Sequence, residues 1–314
     1  MQRPNLFSRL ATLAGFGARR FPGFLCIGAQ RGGTTWLHAN LAGHPGCWLP
    51  PAKEMHYFDQ VHDVESGRWA PARRAYLDGL ATVLAARHAQ GTLSKADREL
   101  RRWAAHYADS GLVDDDWYAG LFAAAPRRAL VGDITPAYAL LDDAGVAHVA
   151  RLMPEARLFF MLRQPAERML SGAWHELMLD RRDPAPPTFA ELRAELKSER
   201  CRGRSRYHRT IAIWSRHFPA DQFKVLFHDD VVSRPQAVLR EVCAHLGIAY
   251  APALFPSGSE PVNAGREMPA EYRREGLRLA TESCRDELEG LSAVVGPLPA
   301  GWSRTAEGRD GPSA

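Results

Sequence analysis

The stretch that most constrains this chain is Phe24-Leu25-Cys26-Ile27-Gly28-Ala29-Gln30-Arg31-Gly32-Gly33-Thr34-Thr35-Trp36-Leu37. It opens on a short apolar run, which reads as a buried strand. A glycine-rich turn follows, and Thr34-Thr35-Trp36-Leu37 then begins a helical pattern. Strand, glycine turn and helix start together make an anion cradle. Glycines let backbone N–H groups approach the ligand, and the helix N-terminus adds about half a positive charge. The spacing Gly28-x-x-x-x-Gly33 matches the first part of the nucleotide loop G-x-x-x-x-G-K-[ST]. Thr34 stands where the lysine belongs, so the group that reaches the β and γ phosphates of ATP is missing. The cation of this loop is Arg31, which precedes the glycine pair. The loop therefore reads as a phosphate cradle that does not serve a nucleoside triphosphate.

Further apolar runs recur between helical segments. Leu130-Val131-Gly132, Leu158 to Leu162 and Phe223 to Phe227 read as strands. Helical periodicity covers Thr34 to Leu41, Asp142 to Met153, Ala166 to Leu179, Arg204 to Phe218, Arg234 to Leu246 and Glu271 to Leu291. Strands separated by helices predict an α/β fold, with a parallel sheet covered on both faces. Between residues 62 and 126 there is little strand signal. Arg68 to Arg87 and Ser94 to Ala108 are helical there, so a helical insertion is expected. Pro184 to Pro187 reads as a surface loop. Ligands of such sheets sit at the carboxyl ends of the strands. Those ends are followed by Gly28 to Thr35, Asp133 to Pro136, Arg163 to Pro165 and His228 to Asp230.

Composition narrows the classes. The 314 residues are 46% hydrophobic and 24% charged, ordinary values for a globular chain. A net charge of +4 suits anionic ligands but is too small to argue for nucleic acid. Five scattered cysteines without a C-x-x-C pair suggest neither a zinc site nor a disulfide framework, but reduced thiols. The apolar run from Leu10 to Phe16 is too short to span a bilayer. Residues 1–20 and 301–314 read as tails around one domain at 21–300. Cytoplasmic location is the expectation, and no oligomeric state is read.

The residues from Phe24 to Asp59 resemble PAPS-dependent sulfotransferases, especially the heparan sulfate and related carbohydrate branch. The pieces that carry the likeness are Gly28-Ala-Gln-Arg31-Gly32-Gly33-Thr34 and Glu54-Met-His56-Tyr57-Phe58-Asp59. The family usually has lysine at position 31, and this chain has arginine. The resemblance runs from about residue 22 to residue 292. It implies a P-loop-like three-layer sandwich and direct in-line transfer of a sulfonate from PAPS to a hydroxyl or amine. Its partner would be an acceptor such as a glycan, a lipid or a small molecule; no metal is implied.

The resemblance also implies roles. Gly28, Arg31, Gly32, Gly33, Thr34, Thr35 and Trp36 would hold the 5′-phosphosulfate. Arg163 and Ser171, in Leu162-Arg163-Gln164-Pro165 through Ser171, match the 3′-phosphate segment; an arginine can fork onto a phosphate there. Gly265 and Arg266 match a loop that closes over that phosphate, and Tyr207 a position near the nucleotide. Glu54 is the expected general base, with His56 as the second candidate and Arg31 as the catalytic cation. Lys53 would touch donor or acceptor. Asp133-Ile134-Thr135-Pro136-Ala137-Tyr138 resembles a segment in which a lysine stands where this chain has Asp133, which is read as an acceptor contact. Arg168 is read as solvent-facing or ion-paired, and Trp174 and Trp214 as core. Two other readings are a P-loop nucleotide or sugar kinase, which Thr34 disfavours, and a nucleotide-binding module without catalysis.

Overall fold

Strand β1 (Phe24–Gly28) is apolar throughout and buried at every position. A strand with no polar face needs cover on both sides, and its side chains do enter two different cores. Leu25 and Ile27 pack with Leu158, Phe160 and Leu162 on one face. Phe24 and Cys26 pack with Phe159 and Met161 on the other. In the computed structural model, which describes residues 19–64, 67–109, 113–179, 185–255 and 267–302, β1 is the centre of a five-stranded sheet. Its neighbours are β2 (Cys47–Trp48), β3 (Leu130–Ile134), β4 (Arg157–Leu162) and β5 (Phe223–Phe227), in the order β2-β3-β1-β4-β5. All four pairings are parallel. The α/β sandwich with a parallel sheet is the fold that the sequence predicts.

The strand order defines where a ligand can sit. From β1 the chain goes outward to β2 and β3 on one side, then crosses to β4 and β5 on the other. The carboxyl ends of β1 and β4 therefore flank the switch point, where open α/β sheets bind ligands. α1 (Thr34–Ala42) follows β1, and α2 (Phe58–Val61) follows the short edge strand β2. α3 (Ala70–Ala89), α4 (Lys95–Ala108) and α5 (Asp115–Gly120) form the predicted helical insertion. Its Trp103, Tyr107, Trp117 and Tyr118 join the same core as Leu25 and Ile27. Beyond β3 come α6 (Asp143–Leu152), then α7 (Pro165–Leu179) after β4.

Several boundaries differ from the reading of the sequence. The helix expected over 204–218 is shorter, α10 (Tyr207–Trp214). It is preceded by α8 (Phe189–Lys197) and α9 (Glu199–Gly203), neither of which was expected. A capping box between Thr188 and Glu191 starts α8, and that Thr-x-x-Glu spacing is visible in the sequence. α11 (His228–Ser233) and α12 (Pro235–Leu246) follow β5. The single helix expected at 271–291 is two, α13 (Ala270–Ser283) and α14 (Arg285–Val295), divided at Cys284, which is buried. One residue from each expected tail is hydrogen-bonded to the domain. Arg20 donates to the carbonyls of Ala125 and Pro126, and buried Trp302 donates to Asp229 at 3.0 Å. The remaining tail residues, the 10–16 run and the start of the 184–187 loop lie outside the described residues. All five cysteines are buried and unbridged. No helix among the described residues is long and apolar enough to cross a membrane.

Candidate active site

The glycine loop is shaped by close approaches. A Cβ on Gly32 would fall 2.4 Å from the Met161 carbonyl oxygen and 2.8 Å from that of Ala29. Gly32 therefore lets the loop close against the end of β4. Gly33 has φ 104°, a left-handed conformation that glycine adopts without cost. It caps α1 without any side-chain hydrogen bond, and no acidic residue stands in the first turn of that helix. The first-turn N–H groups of Thr34 and Thr35 have no intrahelical partner. The loop thus presents N–H donors and the positive end of a dipole to an anion. Arg31 also lies in the left-handed region, at φ 67°. That conformation is uncommon for a side-chain-bearing residue and recurs at ligand sites.

Arg31 joins the loop to the second segment. Its Nε donates to Ser171 Oγ at 3.1 Å, across from β1 to α7. Burial, then the charges of Arg163 and Arg168, hold its pKa below the ordinary value. Arg163 directly follows β4 and donates to Glu167 at 3.1 Å, whose other oxygen accepts from Arg273 at 2.8 Å. This end of the cleft is therefore rich in guanidinium groups. Tyr207 is fully buried, and its hydroxyl donates to the Arg163 carbonyl at 2.9 Å. It supports the backbone of Arg163 and does not line the cleft. Arg168 is also corrected. It is neither solvent-facing nor ion-paired among the described residues, but fully buried, donating to Ser205 and the Cys201 carbonyl.

The Glu54 segment hangs from β3 and the turn that follows it. The Met55 N–H donates to Thr135 Oγ1 at 3.0 Å, and the Tyr57 N–H to the Tyr138 hydroxyl at 3.2 Å. Between them His56 takes φ 52°. Lys53 Nζ donates to Glu54 Oε1 at 2.8 Å, and His56 Nε2 lies 3.3 Å from Glu54 Oε2. The other ring nitrogen, Nδ1, lies 2.7 Å from buried Asp59. Trp69 stacks on the imidazole at 4.1 Å. Burial opposes charge on Glu54, but the bonds from His56 and Lys53 outweigh it and lower the carboxyl to about 2. Burial likewise opposes charge on His56, and its two carboxylate partners raise it to about 9. At neutral pH the group is an ionised Glu54 beside an imidazolium.

A raised folded-state pKa makes a histidine stabilising below its unfolded value of about 6.5. That contribution is lost as pH rises towards 9. The melting temperature should therefore fall across this window, and His56→Ala should flatten the fall. A wild-type melting curve that is level from pH 6.5 to 9 would refute the imidazolium assignment.

Asp133 is the main positional correction. It was read as an acceptor contact, yet it is 1% exposed and lies beneath the cleft. Its carboxyl accepts from Tyr118 and Tyr138 at 2.8 Å each and from Thr135 at 2.7 Å. Burial pushes its pKa up to about 6 against those three donors. The two hydroxyls that carry the Glu54 segment, on Thr135 and Tyr138, are thus oriented by Asp133.

One cleft of about 1230 Å³ brings together Arg31, Gly33, Thr34, Thr35, Trp36, Lys53, Glu54, His56, Arg163 and Ser171. Gly28 and Gly32 do not line it, and Gly265 and Arg266 lie outside the described residues. Trp214 is core as expected; Trp174 is equally buried but also lines the cleft. Sequence reasoning missed Trp69, Arg73, Tyr76 and Tyr107, which come from the insertion and carry no motif. His228, read from the sequence only as the start of the segment after a strand end, follows β5 and lines the cleft.

A five-stranded parallel sheet with a glycine cradle at its switch point and a charged cleft beside it is a P-loop-like α/β fold. Residues 22–252 match the sequence profile of the sulfotransferase family, and the chain belongs to that family. The bifunctional heparan sulfate N-deacetylase/N-sulfotransferase 1 of Caenorhabditis elegans is 25% identical over 146 residues. That match covers 44% of this chain and 16% of the relative. A solved sulfotransferase from Alicyclobacillus acidocaldarius has a TM-score of 0.61 at 22% identity, covering 90% of this chain and 99% of that one. The sulfotransferase domain of the Synechococcus PCC 7002 olefin synthase gives 0.53 at 19%, with 90% and 98% covered. At these identities the two structures speak to the fold.

Proposed function

We propose that this sulfotransferase uses PAPS as donor and transfers its sulfonate in line to an acceptor hydroxyl or amine, with Glu54 as general base. The observation that carries the reading is the convergence of the cradle, the Arg163–Ser171 segment and Glu54 in one cleft. When bound, PAPS supplies the sulfonate and leaves as 3′,5′-ADP. The residues fit such a donor. The capless, acid-free start of α1 suits one anionic end, and the guanidinium cluster of Arg31 and Arg163 suits a second phosphate. The two carboxylates on His56 favour its charged form, which supports Glu54 over it as the base. Lys53 and His56 lower its basicity in the free protein. An anionic donor competes for those two cations, which returns basicity to Glu54 when it is needed.

Two results test the reading. Labelled PAPS and a panel of acceptors should give a sulfonated product with excess chelator present, because Thr34 replaces the ATP-binding lysine and arginine meets the charge. Activity that EDTA removes and magnesium restores would favour the kinase alternative. The protein should also bind 3′,5′-ADP far more tightly than 5′-AMP. Arg163→Ala should remove most of that preference, since a charge-assisted hydrogen bond is worth roughly 1.5–3 kcal/mol. Equal calorimetric affinities for the two nucleotides would sink the second anchor.

A further inference from the structure

Helix α7 holds a charge that the proposed reaction has not used. Arg168 is wholly buried, one turn before Ser171. Its Nε donates to Ser205 Oγ at 2.6 Å and its Nη2 to the Cys201 carbonyl at 2.7 Å, so both acceptors are neutral. Its Nη1 is buried without a hydrogen-bond partner. That nitrogen lies along the helix against Gly172, where a Cβ would stand only 3.1 Å from it. Glycine inside a helix is unfavourable, and here it makes room for the guanidinium.

Arg168 forms no ion pair among the described residues, and the carboxylates nearby are engaged elsewhere. Glu167 is shared by Arg163 and Arg273, Glu195 is held by Arg200, and Glu287 by His208. The titratable groups around the guanidinium supply no negative charge either. Burial raises the thiols of Cys201 and Cys284, the latter to about 12, and raises the phenol of Tyr207. A buried guanidinium without a counter-charge is costly to keep. Its field reaches the cleft, because after burial and Arg163 it is the next influence lowering Arg31, whose Nε meets Ser171 at 3.1 Å.

We propose that Arg168 is one half of an ion pair completed by the ligand: its counter-charge is the donor phosphate held at Arg163 and Ser171. This rests on the proposed donor. Arg168 acts through space, from beneath the two residues that touch the phosphate. Buried charges are screened little by salt. At an effective dielectric of about 20, a unit charge one or two helical turns from a phosphate changes affinity by roughly tenfold to a hundredfold.

The test measures pyrophosphate, 5′-AMP and 3′,5′-ADP binding by calorimetry on the full chain. Arg168→Met should weaken 3′,5′-ADP by about tenfold to a hundredfold and 5′-AMP less, and Arg168→Lys should recover part of the loss. Cys201→Asp leaves Arg168 in place and puts a carboxylate where the thiol already accepts from Nη2 at 3.5 Å. It should weaken 3′,5′-ADP as Arg168→Met does, whereas the neutral Cys201→Asn should not. A merely structural Arg168 would lower the melting temperature in Arg168→Met and leave the two Cys201 variants alike in affinity. If the Arg168 variants do not fold, the pair at position 201 decides. Equal affinity of Cys201→Asp and Cys201→Asn for 3′,5′-ADP overturns the inference, as does an Arg168→Met loss that is the same for both nucleotides. Pyrophosphate binding that depends on Arg168, in a protein indifferent to 3′,5′-ADP, upholds it and overturns the proposed donor instead. Tight 3′,5′-ADP binding that Cys201→Asp leaves unchanged does the reverse. Binding of neither anion overturns both.

Discussion

Glu54→Gln is expected to lower kcat by about 10²–10⁴-fold, the usual contribution of a general base. The amide keeps the size of the side chain but cannot take the acceptor proton. Affinity for 3′,5′-ADP should barely change, because the phosphate contacts proposed for Arg163 and Ser171 do not include Glu54. The substitution also removes one of the two carboxylates that hold His56 charged, so its pKa should fall. Asp59 still holds the other ring nitrogen at 2.7 Å and keeps the imidazole in place. The measurement is kcat with an identified acceptor, alongside calorimetry with the nucleotide. His56→Ala serves as the comparison. If it costs more than Glu54→Gln, the histidine and not the glutamate is the base. A Glu54→Gln enzyme with near-normal kcat would remove the carboxylate from the mechanism.

Arg31→Ala should come close in effect, with kcat falling about 10²–10³-fold, the cost of deleting one preorganised donor to developing charge. Arg31 stands at the loop between two glycine-dependent approaches and reaches Ser171 across the sheet. Its loss should therefore weaken nucleotide binding as well, unlike the loss of Glu54. Arg31→Lys separates charge from shape. It keeps the positive charge, but not the planar fork that reaches Ser171. Most of kcat should return, while 3′,5′-ADP affinity should recover less. If Arg31→Ala leaves kcat intact and only raises KM, the residue binds the ground state and does not stabilise the reaction.

Much of this architecture was legible because parallel strands buried on both faces are continuous apolar runs. Phe24–Gly28, Leu158–Leu162 and Phe223–Phe227 needed no tertiary information to be read. The cradle was equally visible, since its glycines answer local backbone demands. Other parts depended on contacts distant in sequence. β2 is two residues long and exists through its pairing with Leu130 and Val131. Asp133 looked accessible because it follows an apolar run near a strand end. Only the fold shows that Tyr118, from the insertion, closes over it. Trp69, Arg73 and Tyr107 belong to no motif, and their meeting at Glu54 is decided by helix packing. α8 is a different failure, for the Thr188-x-x-Glu191 signal was present and unread.

The suspension of the Glu54 segment from Thr135 and Tyr138 separates where chemistry occurs from where it is secured. Neither Thr135 nor Asp133 opens onto the cleft, and Tyr138 is wholly interior. An inventory of functional positions drawn from exposed cleft residues would classify all three as packing. Variation at them would accordingly be misfiled: a phenylalanine at 138 fills almost the same volume, yet it takes away the hydroxyl on which the Tyr57 amide rests. In this molecule the tolerance of an interior position cannot be judged by size and polarity alone, because part of the interior works as the mounting for the Glu54 segment.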